Sequence, residues 1–274
     1  MLLIGTCMRM ENSLHHPRSS ASITLSVWKA LFLREALSRF FSSRGAWFWL
    51  LIDPVFHVAY LMVVFTMMRV SNVGGIDIAT WIMIGLLAFF MFRVTATQVT
   101  NSISANLALF AYRQVKPVDT ALVRAALEGV LMVAVTLILL TGAALFGHSV
   151  VPSDPLAVLE AFFGLWLAGI GFGLIASVAN GLIRELGKII HLIMMPLYII
   201  SGVMFPISAV PEPYQSWLLL NPVAHGLEAA RLGFVPNYHS VPDLSMGFLY
   251  GFALVSIFLG LALHRRFALR LISL

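Results

Sequence analysis

Six long apolar runs alternate with shorter polar stretches along this chain. They fall at about 46–68, 78–98, 122–146, 156–180, 188–206 and 244–264. Each run is close to the roughly 20 residues that a helix needs to cross the hydrocarbon core of a bilayer. The pattern predicts an all-α integral membrane protein with six transmembrane helices in residues 45–274, preceded by a cytoplasmic N-terminal segment, residues 1–44.

The stretch after the fifth run, 202–231, stays apolar but contains Pro206, Pro211 and Pro213. Each proline removes a backbone donor and clashes with the preceding turn, so an unbroken helix is excluded. A loop in water would not carry so many apolar side chains. We therefore predict a re-entrant helical hairpin in the outer half of the bilayer, with its freed backbone groups facing protein or a water-lined path.

Residues 25–41 show a helical pattern that is too short and too charged to span a membrane. Trp28, Phe32 and Phe40 fall on one side at four-residue spacing, while Arg34 lies opposite and Lys29 interrupts the apolar stripe. One interpretation places this helix in the cytoplasmic headgroup layer, with its basic residues near anionic lipid. The other packs it against the remaining helices as a peripheral element, and the sequence favours neither.

Charge is sparse and unevenly placed: 60% of the residues are hydrophobic and 11% charged, with a formal net charge of +5. Nearly all Lys and Arg flank the runs on one side, whereas Arg69 and Arg231 fall on the other. The positive-inside rule therefore predicts that both termini are cytoplasmic. Topology accounts for the basic excess, so a nucleic-acid partner is not required. Arg9, Glu11 and Pro17 interrupt the mildly apolar N-terminus before a hydrophobic region of useful length can form, so we expect no cleaved signal peptide. The single Cys7 excludes an intrachain disulfide.

Ionisable groups inside the runs are candidates for function. Asp53 and His57 share a helix face near Pro54, which favours a hydrogen-bonded pair beside a kink over a proton relay. Arg93, at the inner end of the second run, is expected to extend to the cytoplasmic interface rather than to grip an anionic substrate.

The polar loop 99–121 is expected to leave the membrane and form a short helix that stops before Pro117, with Asp119 as N-cap of the third span. Such a helix would present Phe110, Tyr112 and Arg113 to the cytoplasm, which suits docking into a groove of another protein. An ordinary amphipathic turn is the alternative.

Glycine spacing does not indicate a nucleotide site. Gly169, Gly171 and Gly173 form a GxGxG in wholly apolar surroundings, where close helix packing through Gly169 and Gly173 is the better explanation. No GxxxxGK[ST] motif occurs, so we expect that this chain does not hydrolyse ATP. His225 and Glu228 are too few for a metal site, and Glu228 with Arg231 is expected to form an ion pair on one helix face.

Three stretches resemble one family of membrane proteins. The order Gly202, Phe205-Pro206, Pro211, Tyr214, Trp217, Asn221-Pro222, Glu228 and Arg231 resembles the signature of ABC-2 type exporter permeases. The loop Ile103 to Glu128 and the helix Leu31 to Phe40 resemble those of the capsular polysaccharide exporters within that class. The matches lie in order, and the resemblance covers nearly the whole chain.

The resemblance implies a homodimer in the bacterial inner membrane that is driven by two copies of a separate ATPase. ATP and Mg would bind that partner, leaving no cofactor or metal in this chain. The substrate would be a capsular polysaccharide. If the resemblance extends to the smaller group of exporters of acidic capsules, the polymer would carry a lipid and would pass to periplasmic co-polymerase and outer-membrane export proteins. Export of O-antigen, a drug or a lipid remains an alternative, as does a membrane enzyme that uses Asp53 and His57.

The predicted functional residues form four sets. The ATPase-coupling loop comprises Leu109, Phe110, Tyr112, Arg113, Lys116 and Pro117, and the interface helix Trp28, Phe32, Arg34, Glu35 and Arg39. The re-entrant hairpin contributes Pro206, Pro211, Asn221, Pro222, Glu228 and Arg231. The substrate path is predicted at Phe89, Phe92, Arg93, Trp166, Tyr214 and Trp217, whose aromatic faces would stack on sugar rings.

Overall fold

A computed structural model describes residues 20–41, 46–67, 72–112 and 114–272. The predicted site residue Arg113 and the side chain of Asp53 lie outside the described part. The helices are α1 (Ser20–Phe41), α2 (Ala46–Met67), α3 (Ile78–Thr100), α4 (Pro117–Leu145), α5 (Pro155–Leu182), α6 (Arg184–Ile200), α7 (Tyr214–Leu218), α8 (Pro222–Phe234), α9 (Met246–Arg266) and α10 (Ala268–Ile272).

Shorter elements connect the helices. Strands β1 (Asn72–Val73) and β2 (Ile76–Asp77) form an antiparallel hairpin before α3. Single 3₁₀-helices cover Ser104–Ala111 and Ile207–Ala209. The prediction of a mostly helical membrane protein is therefore confirmed.

Four of the described helices, α3, α4, α5 and α9, are long and apolar enough to cross a membrane. The two remaining apolar runs also form helices: α2 has 22 residues with Pro54 inside it, and α6 has 17 residues with Pro196 inside it. A total of six spans remains a prediction, which rests on counting α2 and α6 with the other four.

Helix starts follow local chemistry. The Asp154 carboxylate accepts from the backbone N–H groups of Leu156 and Ala157 at 3.0 Å, with Pro155 as the first helical residue of α5. The prediction that Asp119 is the N-cap of α4 is wrong. Lys116 is the N-cap, and Asp119 lies in the first turn, where its carboxylate accepts from the Lys116 N–H at 3.1 Å. Pro117 fixes this register because proline favours the first helical position.

Helix α5 is the centre of the bundle and lies against α3, α8 and α9. Its glycines provide the close approaches. A Cβ at Gly169 or Gly173 would meet the α3 backbone at Phe92 or Ala96, and one at Gly171 would meet Ser256 of α9. The predicted role of Gly169 and Gly173 in close helix packing is thus confirmed.

The core is formed largely by α3, of which nearly every side chain up to Phe92 is buried. By contrast α2, α4, α6 and α9 present large apolar side chains outward, for example Phe56, Leu137, Leu192 and Phe258. Such surfaces are suited to lipid or to another apolar protein face rather than to water.

The glycine contacts of α5 yield a stability prediction. We expect Gly173→Ala to lower the melting temperature of the purified protein in detergent, because its Cβ would lie 2.6 Å from Val99 Cβ and overpacking typically costs about 1–3 kcal/mol. The matched control is Gly251→Ala in α9, where nothing lies within 4 Å. That variant should match or exceed the wild type, since alanine is the better helix former. Equal melting temperatures for both variants would contradict this packing.

Candidate functional site

Two charged residues of α8 are completely buried at the centre of one polar cluster. Glu228 and Arg231 are each 0% exposed, and Arg231 Nη1 lies 3.0 Å from Glu228 Oε1. The predicted ion pair on one helix face is confirmed. Because an unpaired buried charge is strongly destabilising, each residue depends on the other.

Arg231 also joins α8 to two neighbouring elements. Its guanidinium donates to the carbonyls of Gly202 at 2.8 Å and Val203 at 3.4 Å, just beyond the end of α6. It stacks on the Trp81 ring of α3 at 3.8 Å from the ring centroid. Gly85, one turn further along α3, leaves the space that the guanidinium occupies. Arg231 therefore fixes the position of α8 against α3 and the end of α6.

Tyr238, in the loop after α8, completes this cluster. Its hydroxyl donates to Glu228 Oε1 at 3.2 Å. Burial raises the pKa of Tyr238 to about 12, so the hydroxyl remains a donor at neutral pH. Together, Glu228, Arg231, Tyr238 and Trp81 form what we call the α8 cluster.

The segment between α6 and α8 leaves the end of α6 and returns beside it at the start of α8. Gly202 turns the chain with a φ of +77°, and Asn221 Nδ2 donates to Ser201 Oγ at 2.8 Å. Pro206 and Pro211 lie inside this excursion, so the predicted break in the helix is present. Tyr214 and Trp217 project from it, more than half exposed, with ring centroids 5.5 Å apart.

Helix α8 runs from this point along the first half of α5. Gly226 faces Leu165, and Gly233 faces Val158 and the Asp154 carbonyl. Asn221 caps α8 through its side-chain contact with the Val223 N–H at 3.1 Å, and Pro222 is the first helical residue. The geometry is compatible with a re-entrant hairpin, whose depth in the bilayer remains a prediction.

His225 has both ring nitrogens engaged. Nδ1 accepts from the Ser245 N–H at 3.1 Å, so Nε2 carries the proton and donates to the Leu219 carbonyl at 2.8 Å. Across the described residues there is no group of three or more metal-ligating side chains. His225 instead holds the start of α8 against the start of α9.

A cavity of about 560 Å³ lies between α2, α3 and α6 and contains both apolar and polar lining groups. His57 Nε2 lies 3.2 Å from the Tyr198 hydroxyl, and the Arg93 guanidinium lies over the Phe90 ring at 4.6 Å from its centroid. Tyr60, Thr97, Gln98 and His191 are the other polar side chains of the lining. We call this space the α2–α3–α6 cavity. Sequence reasoning found His57 and Arg93 but missed Tyr198 and His191, which no local pattern distinguishes.

The predicted substrate-path residues do not converge in this structure. Phe89 and Phe92 are 0% and 1% exposed and belong to the core. Trp166 lies on the far side, in an apolar groove of about 500 Å³ between α4 and α5, with its indole N–H bonded to the Ala125 carbonyl. Of the predicted set only Arg93 lines the cavity, and Tyr214 and Trp217 lie in the excursion between α6 and α8.

The 3₁₀-helix Ser104–Ala111 lies at the opposite end of the bundle from the α8 cluster. Phe110 is only 5% exposed and packs with Ile103, Val178 and Leu271. The prediction that Phe110 faces the cytoplasm is therefore wrong: it anchors this helix to α5 and α10. Tyr112 is 66% exposed, and Leu109 is partly exposed.

Helix α1 presents its charged side to the protein. Trp28 donates to Asp119 at 2.9 Å, Glu35 pairs with Arg124 at 2.6 Å, and Arg39 pairs with Glu128 at 2.6 Å. Arg34 bonds to Asn106, and Phe32 is partly buried. Leu25, Leu33, Leu37 and Phe41 are exposed. The interpretation in which α1 packs against other helices is confirmed, and its contact with lipid remains a prediction.

Four long apolar helices, with polar groups gathered into buried pairs, are typical of a multi-pass α-helical membrane protein. The sequence profile of the ABC-2 type transporter family matches residues 26–235. The chain therefore belongs to the ABC-2 type transporter family.

Similar proteins extend over almost the same length. The polysialic acid transport protein KpsM of Escherichia coli is 34% identical over 248 residues, covering 90% of this chain and 96% of that protein. The capsule polysaccharide export inner-membrane protein CtrC of Neisseria meningitidis is 27% identical, covering 91% and 94%. BexB of Haemophilus influenzae, with the same description, is 27% identical, covering 92% and 94%.

The α8 cluster yields a second prediction. We expect Arg231→Met to destabilise the protein by about 3–5 kcal/mol, because Glu228 would remain as an uncompensated buried charge. The measurement is the melting temperature and the amount of protein in the membrane. The double variant Glu228→Gln/Arg231→Met should recover part of the loss, whereas the exposed control Arg266→Met should match the wild type. A single variant as stable as the wild type would contradict the role of this pair.

Proposed function

We propose that this chain is the permease subunit of an ATP-driven exporter that moves a capsular polysaccharide from the cytoplasm to the periplasm. The observation that carries the proposal is the 34% identity to a polysialic acid transport protein over 96% of that protein's length. Two further relatives described as capsule polysaccharide export proteins support the same substrate class. More specifically, we propose that the exported polysaccharide is acidic and linked to a lipid.

The proposed topology has six spans, with both termini in the cytoplasm and α8 as the returning arm of a re-entrant hairpin. It is supported by the distribution of Lys and Arg, which favours a cytoplasmic position for α1, the 3₁₀-helix Ser104–Ala111 and α10. The α8 cluster and the excursion 202–221 then lie toward the periplasm.

The proposed assembly contains two copies of this chain and two of a separate ATPase. Support for a second copy comes from the outward apolar side chains of α2 and α6, which also border the α2–α3–α6 cavity. Support for a separate ATPase comes from the absence of a GxxxxGK[ST] motif in the full sequence. The exposed Tyr112 and Lys116 provide its docking point, and periplasmic and outer-membrane partners would receive the polymer.

Complementation tests the proposed function. Expressed in a strain lacking its own capsule-export permease, together with the ATPase encoded for the same exporter, this chain should restore capsule at the cell surface. Surface capsule would be measured by antibody or lectin staining of intact cells. Retention of polymer in the cytoplasm, with the chain present in the membrane, would contradict export of this substrate.

Phe110 and Tyr112, at the end of the 3₁₀-helix Ser104–Ala111, give a third prediction. We expect Tyr112→Ala to reduce recovery of the ATPase with the purified permease, because an exposed aromatic is a typical anchor of an interface. The melting temperature should stay close to that of the wild type.

Phe110→Ala is the matched variant. We expect it to lower the melting temperature more than it lowers ATPase recovery. Truncating a buried phenylalanine typically costs about 3–5 kcal/mol, so the melting temperature should fall. If Tyr112→Ala leaves ATPase recovery unchanged, the docking point lies elsewhere.

A further inference from the structure

Helix α1 is fixed to the rest of the protein largely through polar contacts, and their partners lie in one stretch of chain. Trp28, Arg34, Glu35 and Arg39 all contact residues between Asn106 and Glu128. This stretch contains the end of the 3₁₀-helix, the exposed Tyr112 and the first turns of α4. Helix α1 is therefore bonded to the segment that carries the proposed docking point.

The strongest of these contacts is an alternating set of two acids and two bases. Glu35 Oε1 accepts from Arg124 Nε at 2.8 Å and from Arg124 Nη2 at 2.6 Å. Arg39 Nη2 lies 2.6 Å from Glu128 Oε1, and Arg39 Nε lies 3.9 Å from Glu35 Oε1. Glu35, Arg124 and Glu128 are all less than one-tenth exposed. We call these four residues the α1–α4 charge cluster.

Buried ion pairs contribute little net stability compared with apolar residues of the same volume, but they can fix the register between two elements. The direction of the Arg124 contact is fixed further by Nη1, which donates to the Gln98 carbonyl near the end of α3 at 3.4 Å. Any sliding of α1 along α4 would separate Glu35 from Arg124 and deprive each buried charge of its closest partner. The cluster therefore resists relative movement of α1 and the start of α4.

Two further contacts connect α1 to the stretch from Asn106 to the start of α4, which we call the docking segment. Trp28 donates to Asp119, whose other carboxylate oxygen accepts from the Lys116 N–H at 3.1 Å. Arg34 bonds to Asn106, which itself donates to the Ser102 carbonyl at 2.8 Å. Displacement of the docking segment is thus transmitted to α1 through these two contacts as well as through the charge cluster.

Helix α1 leads, after residues 42–45, into α2, which forms one wall of the α2–α3–α6 cavity. His57, Tyr60 and Leu61 of α2 line that cavity. Within the described chain α2 lies mainly against α3 and the end of α1. Movement of α1 therefore has a direct covalent path to the cavity wall.

We propose that the Glu35–Arg124 pair is a positioning pair that makes α1 and the docking segment one rigid body. Through it, movement of the bound ATPase reaches α2 and changes access to the α2–α3–α6 cavity. The inference rests on the proposed function for the existence of the ATPase, and adds the route by which its motion reaches the cavity.

The test uses the complex of this chain with its ATPase, in a Cys7→Ser background that carries Tyr60→Cys as reporter. Tyr60 lines the cavity and is 57% exposed. The rate of maleimide labelling is compared between the nucleotide-free and the vanadate-trapped complex, and ATP hydrolysis is measured in parallel. For intact Glu35 and Arg124 we expect the two labelling rates to differ by about fivefold or more, at the lower end of typical coupling between sites.

Two charge variants then decide the proposal. Glu35→Arg and Arg124→Glu should each remove most of the nucleotide dependence of labelling while hydrolysis continues. Lys29→Glu, an exposed reversal on the same helix, is the control and should retain the full difference. If a single reversal fails to assemble with the ATPase, Glu35→Gln is the deciding variant because it keeps the side-chain volume.

A variant that assembles and keeps the full nucleotide dependence without the Glu35–Arg124 pair would overturn the inference. A different result would be that the complex with intact Glu35 and Arg124 shows neither ATP hydrolysis nor a labelling difference. This would overturn the proposed function and the inference with it.

Discussion

The guanidinium of Arg231 satisfies backbone carbonyls at the point where α6 ends inside the bundle. A broken helix leaves carbonyl groups without partners, and in a hydrocarbon environment each such group costs several kcal/mol. Arg231 donates to the carbonyls of Gly202 and Val203, and Glu228 balances its charge. The cluster permits the chain to leave α6, make its proline-containing excursion and return as α8.

The rest of the bundle is arranged around this requirement. Helix α5 carries glycines on several faces, so that α3, α8 and α9 approach closely and surround the buried charges. Helices α2 and α6 lie outside that packed centre and enclose the α2–α3–α6 cavity with α3. The division into a tightly packed part and a loosely covered part suits a protein in which the second part moves while the first holds its shape.

The sequence predicted features that depend on local chemistry and missed those that depend on distant partners. Apolar runs, proline breaks, the Glu228–Arg231 spacing and the glycines of α5 all follow from neighbouring residues, and each is present in the structure. The buried side of α1 could not be predicted, because Glu35 meets Arg124 across 89 positions of sequence. Phe110 is likewise buried against expectation because α10 supplies the apolar partner Leu271, whereas Tyr112 is exposed as predicted.

The central claim is that this chain provides a membrane passage for a polysaccharide while a separate subunit hydrolyses ATP. The most direct test is uptake of labelled capsular polymer into proteoliposomes that contain this chain and the ATPase, with the docking side facing outward. The account predicts protected polymer only when both proteins and hydrolysable ATP are present. Equal uptake with this chain alone, or ATP hydrolysis by the purified chain, would contradict it.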